Sequence, residues 1–104
     1  MKGGIQVNNY MIEVELPEDL TEEFLALIPR QRAHVDALMN DGIITSYALS
    51  KDRSRLWITM DAKTHEEAKN VMRSFPMVKF FSFEIRELMF LNRTGYVLPQ
   101  MSLN

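Results

Sequence analysis

A chain of 104 residues has the size of one domain and is too short for two. Its 46% hydrophobic and 25% charged residues are the balance of a globular protein, and a formal net charge of −2 lacks the basic excess of a nucleic-acid binder. The absence of cysteine excludes disulfides, thiolate nucleophiles and cysteine metal ligands.

No apolar run approaches the ~18 residues of a membrane span, and the first nine residues lack the apolar stretch of a secretion signal. The expectation is a cytoplasmic protein with no membrane partner. The Asn92-Arg93-Thr94 triplet, a glycosylation sequon in form, is read as chance. No internal repeat or linker interrupts the chain, so residues 1–104 form one domain with a core over about 8–88.

The first strand is expected over 10–16, where Tyr10, Ile12, Val14 and Leu16 alternate with Met11, Glu13 and Glu15 before Pro17. A helix follows over 21–40, started by Asp19 with Glu22 or by Thr21, and ended by Gly42 at the C′ position. Phe24, Ile28, Gln31, Val35 and Leu38 form its inward stripe. Pro29 removes a backbone donor inside it, which predicts a kink or break just before that residue. Two strands, 43–50 and 55–62, are joined by the short polar turn Lys51-Asp52-Arg53-Ser54. Thr64-His65-Glu66-Glu67 reads as a capping box opening a second helix to Phe75, with Ala68, Val71, Met72 and Phe75 inward and Pro76 as its stop. A fourth strand is expected over 79–88, and an apolar tail over 89–104.

Strand-helix-strand-strand-helix-strand is the split βαβ pattern of an α+β, ferredoxin-like domain. Right-handed crossovers give an antiparallel sheet of order 4-1-3-2 with both helices on one face. Ile12, Val14, Leu56, Ile58, Phe81, Phe83 and Ile85 supply the face beneath the helices. The opposite face carries Met11, Glu13, Glu15, Trp57, Thr59, Asp61, Phe80, Ser82, Glu84, Arg86 and Leu88 by the same alternation. Aromatic, methionine and arginine side chains among charges are the composition of an interface. A two-fold homodimer through this face is therefore expected, with the tail packed across it.

The segments Phe24…Ile28-Pro29-Arg30-Gln31-Arg32…Gly42, Ser54-Arg55-Leu56-Trp57 and Ser74-Phe75-Pro76-Met77…Phe80…Glu84-Ile85 resemble the muconolactone delta-isomerase-like branch of the dimeric α/β-barrel superfamily, over about residues 10–88. The resemblance implies a ferredoxin-like fold paired face to face, sometimes in higher oligomers, with a small-molecule pocket beside the sheet. It also implies a cofactor-free isomerase that moves a proton on a small lactone or enol acid. This chain differs in carrying Lys79 and Phe80 where the isomerase has proline and tyrosine, and Gln31 and Arg32 where it has an acid and a lysine.

Candidate chemistry lies in a few side chains. Glu84, on the mixed face near Trp57 and Phe80, is either an acid/base raised by partial burial or the partner of Arg86. His34, beside the helix stripe, either exchanges protons in a cavity with Tyr47 or Tyr10 opposite, or is held by backbone or water. Arg30 or Arg32, after Pro29, can clamp a carboxylate or pair with nearby acids. Glu13, Glu15 and Asp61 either converge or form a solvated rim, and Arg53 and Arg55 are read as solubilising. Tyr47, Trp57 and Phe80 complete the expected substrate-binding set. His34 and His65 without cysteine do not make a metal ligand set, and no glycine-rich phosphate loop or nucleophile elbow is present, so no cofactor is expected. The two readings are a proton-transfer isomerase and a non-catalytic dimeric binding module.

Overall fold

In a computed structural model, which describes residues 7–94, the alternation of the first strand is resolved into a buried and an open face. Strand β1 (Asn8–Glu15) buries Tyr10, Ile12 and Val14 completely, whereas Glu13 and Glu15 are exposed. It pairs antiparallel with β3 (Arg55–Ala62) on one side and β4 (Ser82–Leu88) on the other. Ile58, Ile12 and Ile85 thereby form one row across three strands, and Leu56, Val14 and Phe83 the next. Strand β2 (Ile44–Leu49) flanks β3, so the order is β2-β3-β1-β4, which counted from the other edge is 4-1-3-2.

Helix α1 (Glu22–Asn40) starts at Thr21, whose hydroxyl accepts the Phe24 N–H at 3.1 Å. It ends at Gly42, in the left-handed region at φ 76°. There the Gly42 N–H donates to Met39 and the Ile43 N–H to Leu38, the paired bonds of a Schellman motif. Of the expected kink or break, the break does not occur: α1 runs without interruption through Pro29. The lost Leu25 carbonyl bond is outweighed by the cap and by Phe24, Gln31 and Val35, buried on either side of the proline.

Helix α2 (His65–Arg73) is capped by Thr64, which accepts from the Glu67 N–H at 3.0 Å. Glu67 reaches back one residue further than a capping box requires, accepting from the Lys63 N–H at 2.6 Å. Val35 of α1 and Ala68 and Met72 of α2 share one core with the buried face of the sheet. Among the described residues, no helix is long and apolar enough to cross a membrane. The expected tail lies mostly outside the described residues; within them, Met89 and Phe90 are exposed.

Two further departures matter for the site. Residues Val78–Phe80 form a 3₁₀ turn, so β4 begins at Ser82 and Phe80 leaves the sheet to pack edge-on against Phe24 at 5.3 Å. The 3₁₀ turn is anchored by Val78 and Phe80 N–H bonds to Phe75 and Met77, which an extended strand cannot make. A bulge between Ile44 and Ser46 lets the Thr45 and Ser46 hydroxyls both meet Thr59 Oγ1, at 2.7 and 2.6 Å.

The β2–β3 turn is organised by Asp52. Its Oδ1 accepts from the Ser54 hydroxyl at 2.7 Å, the Ser54 N–H at 3.0 Å and the Ser50 hydroxyl at 2.8 Å. These bonds, chiefly those from Ser54, lower its carboxyl from 3.8 to about 2. A depressed folded-state value contributes stability that is present above the unfolded value and lost as pH falls. Asp52→Asn is therefore expected to lower the melting temperature at neutral pH, with the difference from the native chain shrinking between pH 3.8 and about 2. Thermal unfolding at stepped pH checks this, and a difference independent of pH would contradict it.

Candidate functional site

Between α1 and the buried face of the sheet lies a cleft of about 290 Å³. That volume is near the ~300 Å³ lower end of small-molecule sites. Helical spacing brings Phe24, Leu25, Ile28, Gln31 and Arg32 to one side of α1, where they form its wall. Leu56 and Phe81 contribute from the sheet side, Met77 from the segment after α2, and Tyr47 and Leu49 from β2. Leu20, Leu25 and Leu49 are all exposed at its rim.

One polar group of this lining is fixed. Gln31 is only 5% exposed, and its Oε1 accepts the Met77 N–H at 3.2 Å. That bond assigns the amide orientation and leaves Nε2 as the free end. Nε2 is buried and has no hydrogen-bond partner among the described residues. A buried donor without an acceptor costs about 1–3 kcal/mol. Tyr47 lines the same cleft, and burial pushes its phenol above the ordinary 10.0. The Gln31 amide lies close enough to oppose that shift in part, although Nε2 reaches no acceptor at hydrogen-bond distance. Tyr47 is thus protonated at neutral pH, able to donate a hydrogen bond but not to act as a base.

No protein-family model matches this chain, and no curated protein matches it in sequence.

The residues singled out from sequence are dispersed. Tyr47 lines the cleft. His34 lies on the helix side of the sheet but against α2, its Nε2 2.8 Å from the Ser74 hydroxyl and its ring edge-on to Phe75. Because Ser74 Oγ also donates to the Val71 carbonyl at 2.6 Å, both bonds are satisfied together when His34 Nε2 carries the proton. Glu84 is on the open face, exposed and paired with Arg86 at 2.9 Å. The sheet therefore stands between Glu84 and His34, and neither lines the cleft. Arg30 is exposed on another side of α1, since residues two apart do not share a helix face. Phe80 is displaced by the 3₁₀ turn, and Trp57 is on the open face across β1 from Glu84.

The open face holds its own hollow of about 310 Å³, lined by Glu13, Glu15, Glu84, Arg55, Ser82 and Phe83. Arg55 pairs with Glu13 at 2.9 Å and Glu15 at 3.4 Å, while Asp61 accepts from Asn9 at 2.7 Å. Glu13 and Glu15 therefore meet at Arg55, whereas Asp61 stands apart on Asn9. Among the described residues, no group of three or more histidine or acidic side chains is arranged to hold a metal.

Sequence reasoning missed Gln31 as a polar group of the site, and Arg53. Arg53 lines the cleft with its backbone in the left-handed region at φ 66°, where an L residue costs about 1–2 kcal/mol relative to ordinary conformations. An arginine in a hairpin position that favours glycine or asparagine marks the turn as unusual but does not show that it borders the cleft.

Proposed function

We propose that this chain is a small-molecule-binding domain whose ligand occupies the cleft between α1 and the sheet. The observation that carries this reading is Gln31, a buried amide of the cleft lining beside Tyr47 whose Nε2 has no acceptor among the described residues. An apolar cleft with a few polar groups and a shifted titratable side chain is the usual form of a ligand site. The resemblance to muconolactone isomerase-like proteins supports a pocket beside the sheet. Binding is favoured over proton transfer because the lining contains neither a carboxylate nor a histidine among the described residues, and Tyr47 is held protonated.

The test is thermal unfolding against a panel of small aromatic and branched aliphatic acids, lactones and alcohols, repeated with Gln31→Met. A ligand at 100 times its dissociation constant adds ~2.7 kcal/mol, a rise of roughly 10 °C or more for a domain of this size. In Gln31→Met the shift is expected to be much smaller, while the unliganded protein changes little. The unpaired donor is relieved, but the Met77 N–H loses its acceptor. A panel with no shift would contradict the proposal.

A homodimer through the open face belongs to the same proposal. Trp57 is 38% exposed there, on the face that also carries Met11, Ala48 and Leu88. Trp57→Glu is expected to convert a dimer into a folded monomer by sedimentation at micromolar concentration. A native chain that sediments as a monomer up to about 100 µM, a Kd limit equivalent to roughly −5.5 kcal/mol, would reject this part.

A further inference from the structure

The charge around the cleft says which class of molecule it takes. Among the described residues, Arg32 and Arg53 are the only charged ones that line it, and no acidic side chain does. Neither guanidinium has an ion-pair or hydrogen-bond partner among the described residues. This is unlike Arg55, Arg73 and Arg86, each of which is paired with a glutamate on the same chain. The two arginines come from different elements, Arg32 from α1 and Arg53 from the β2–β3 turn, so the fold brings them to one opening.

Arg53 holds its place against the preference of its backbone. The turn closes with the Arg53 N–H donating to Ser50 at 2.9 Å, and the left-handed φ that follows is one that glycine adopts without penalty. The turn itself gives no reason for an arginine, because Asp52, Ser50 and Ser54 supply its hydrogen bonds. What arginine adds at this position is a guanidinium at the cleft opening.

We infer that the ligand is a small amphipathic anion: a compact apolar body enclosed by Leu16, Phe24, Ile28, Leu56 and Phe81, carrying a carboxylate or similar oxyanion held by Arg32 and Arg53. This rests on the cleft being the ligand site. The cleft volume of about 290 Å³ matches a single ring or a short branched chain. Guanidinium groups suit such a head group because they meet its oxygens bidentately.

The experiment is calorimetric titration with phenylacetate and its neutral counterpart 2-phenylethanol, and with 4-methylpentanoate and 4-methylpentan-1-ol, on the native chain, Arg53→Gly and Arg32→Gln. Each acid is expected to bind the native chain more tightly than its alcohol, with the preference falling as salt is raised. Each substitution is expected to weaken acid binding by roughly fivefold, as befits solvated ion pairs, and to weaken alcohol binding distinctly less. Arg53→Gly should melt no lower than the native chain, so its lost affinity cannot be ascribed to a damaged fold. Equal binding of acid and alcohol, or unaltered acid binding in both variants, overturns the anion assignment while leaving the cleft as the site. Failure of all four probes to bind overturns the cleft reading itself.

Discussion

Phe75→Ala is expected to destabilise the protein by about 3–5 kcal/mol, the range for removing a buried phenylalanine. The melting temperature should fall by more than about 10 °C. Phe75 is only 2% exposed and follows the end of α2, where its N–H donates to Met72 and its carbonyl accepts the Val78 N–H. Its ring is edge-on to His34 of α1 at 5.7 Å and to Phe81 at 6.2 Å. One side chain thus ties both helices to the segment that enters β4. Phe81 also lines the cleft, so the cavity left by Phe75 is expected to loosen the site as well as the core. Phe80→Ala is the control. Its ring is only partly buried and meets Phe24, so the loss should be less than half as large. Chemical denaturation of both variants checks the pair, and a larger loss at Phe80 would contradict the packing described.

Pro29→Ala should act in the opposite direction and stabilise the fold by about 1–3 kcal/mol. Alanine restores the N–H that α1 lacks, allowing a bond to the Leu25 carbonyl, and removes the ring's clash with that carbonyl. Part of the gain is offset because alanine frees the unfolded chain more than proline does. The helix is already continuous through this position, so no rearrangement is needed to realise the gain. Pro29 lies between Ile28 and Gln31, two walls of the cleft, so the restored bond stiffens the turn that carries them. The variant is therefore expected to be more stable and to bind the probe acids less well, the exchange typical of functional positions. Denaturation midpoints and calorimetry on one preparation measure both effects. A destabilised Pro29→Ala would mean that α1 depends on the proline's geometry.

The parts of the fold legible in sequence were those where one physical demand dominates. Tyr10, Ile12 and Val14 had to be buried on one face of β1, and period two places Glu13 and Glu15 on the other. Gly42 and Thr64 mark helix ends because few other residues satisfy the backbone there. Pro29 does not break α1 because its local cost was outweighed by packing on both sides of it. Phe80 misled because alternation alone does not distinguish the start of a strand from a 3₁₀ turn, whose bonds depend on Phe75 and Met77. Of the site, Tyr47 was legible from its place on β2. Gln31 had been placed on the inward stripe of α1, but its unpaired amide depends on Met77, 46 residues away. Arg53 was read as a solubilising turn residue, since nothing in the turn itself shows that it borders the cleft.

The central claim is that the cleft between α1 and the sheet, rather than the open face, takes the ligand. It is tested most directly by titrating ¹⁵N-labelled protein with phenylacetate and following backbone, side-chain amide and indole resonances. Saturable shifts should concentrate at the Gln31 side-chain amide and at the backbone of Arg32, Tyr47, Arg53, Met77 and Phe81, with the Trp57 indole unmoved. Shifts centred on Trp57, Glu13 and Glu84, or no saturable shift at all, would contradict it.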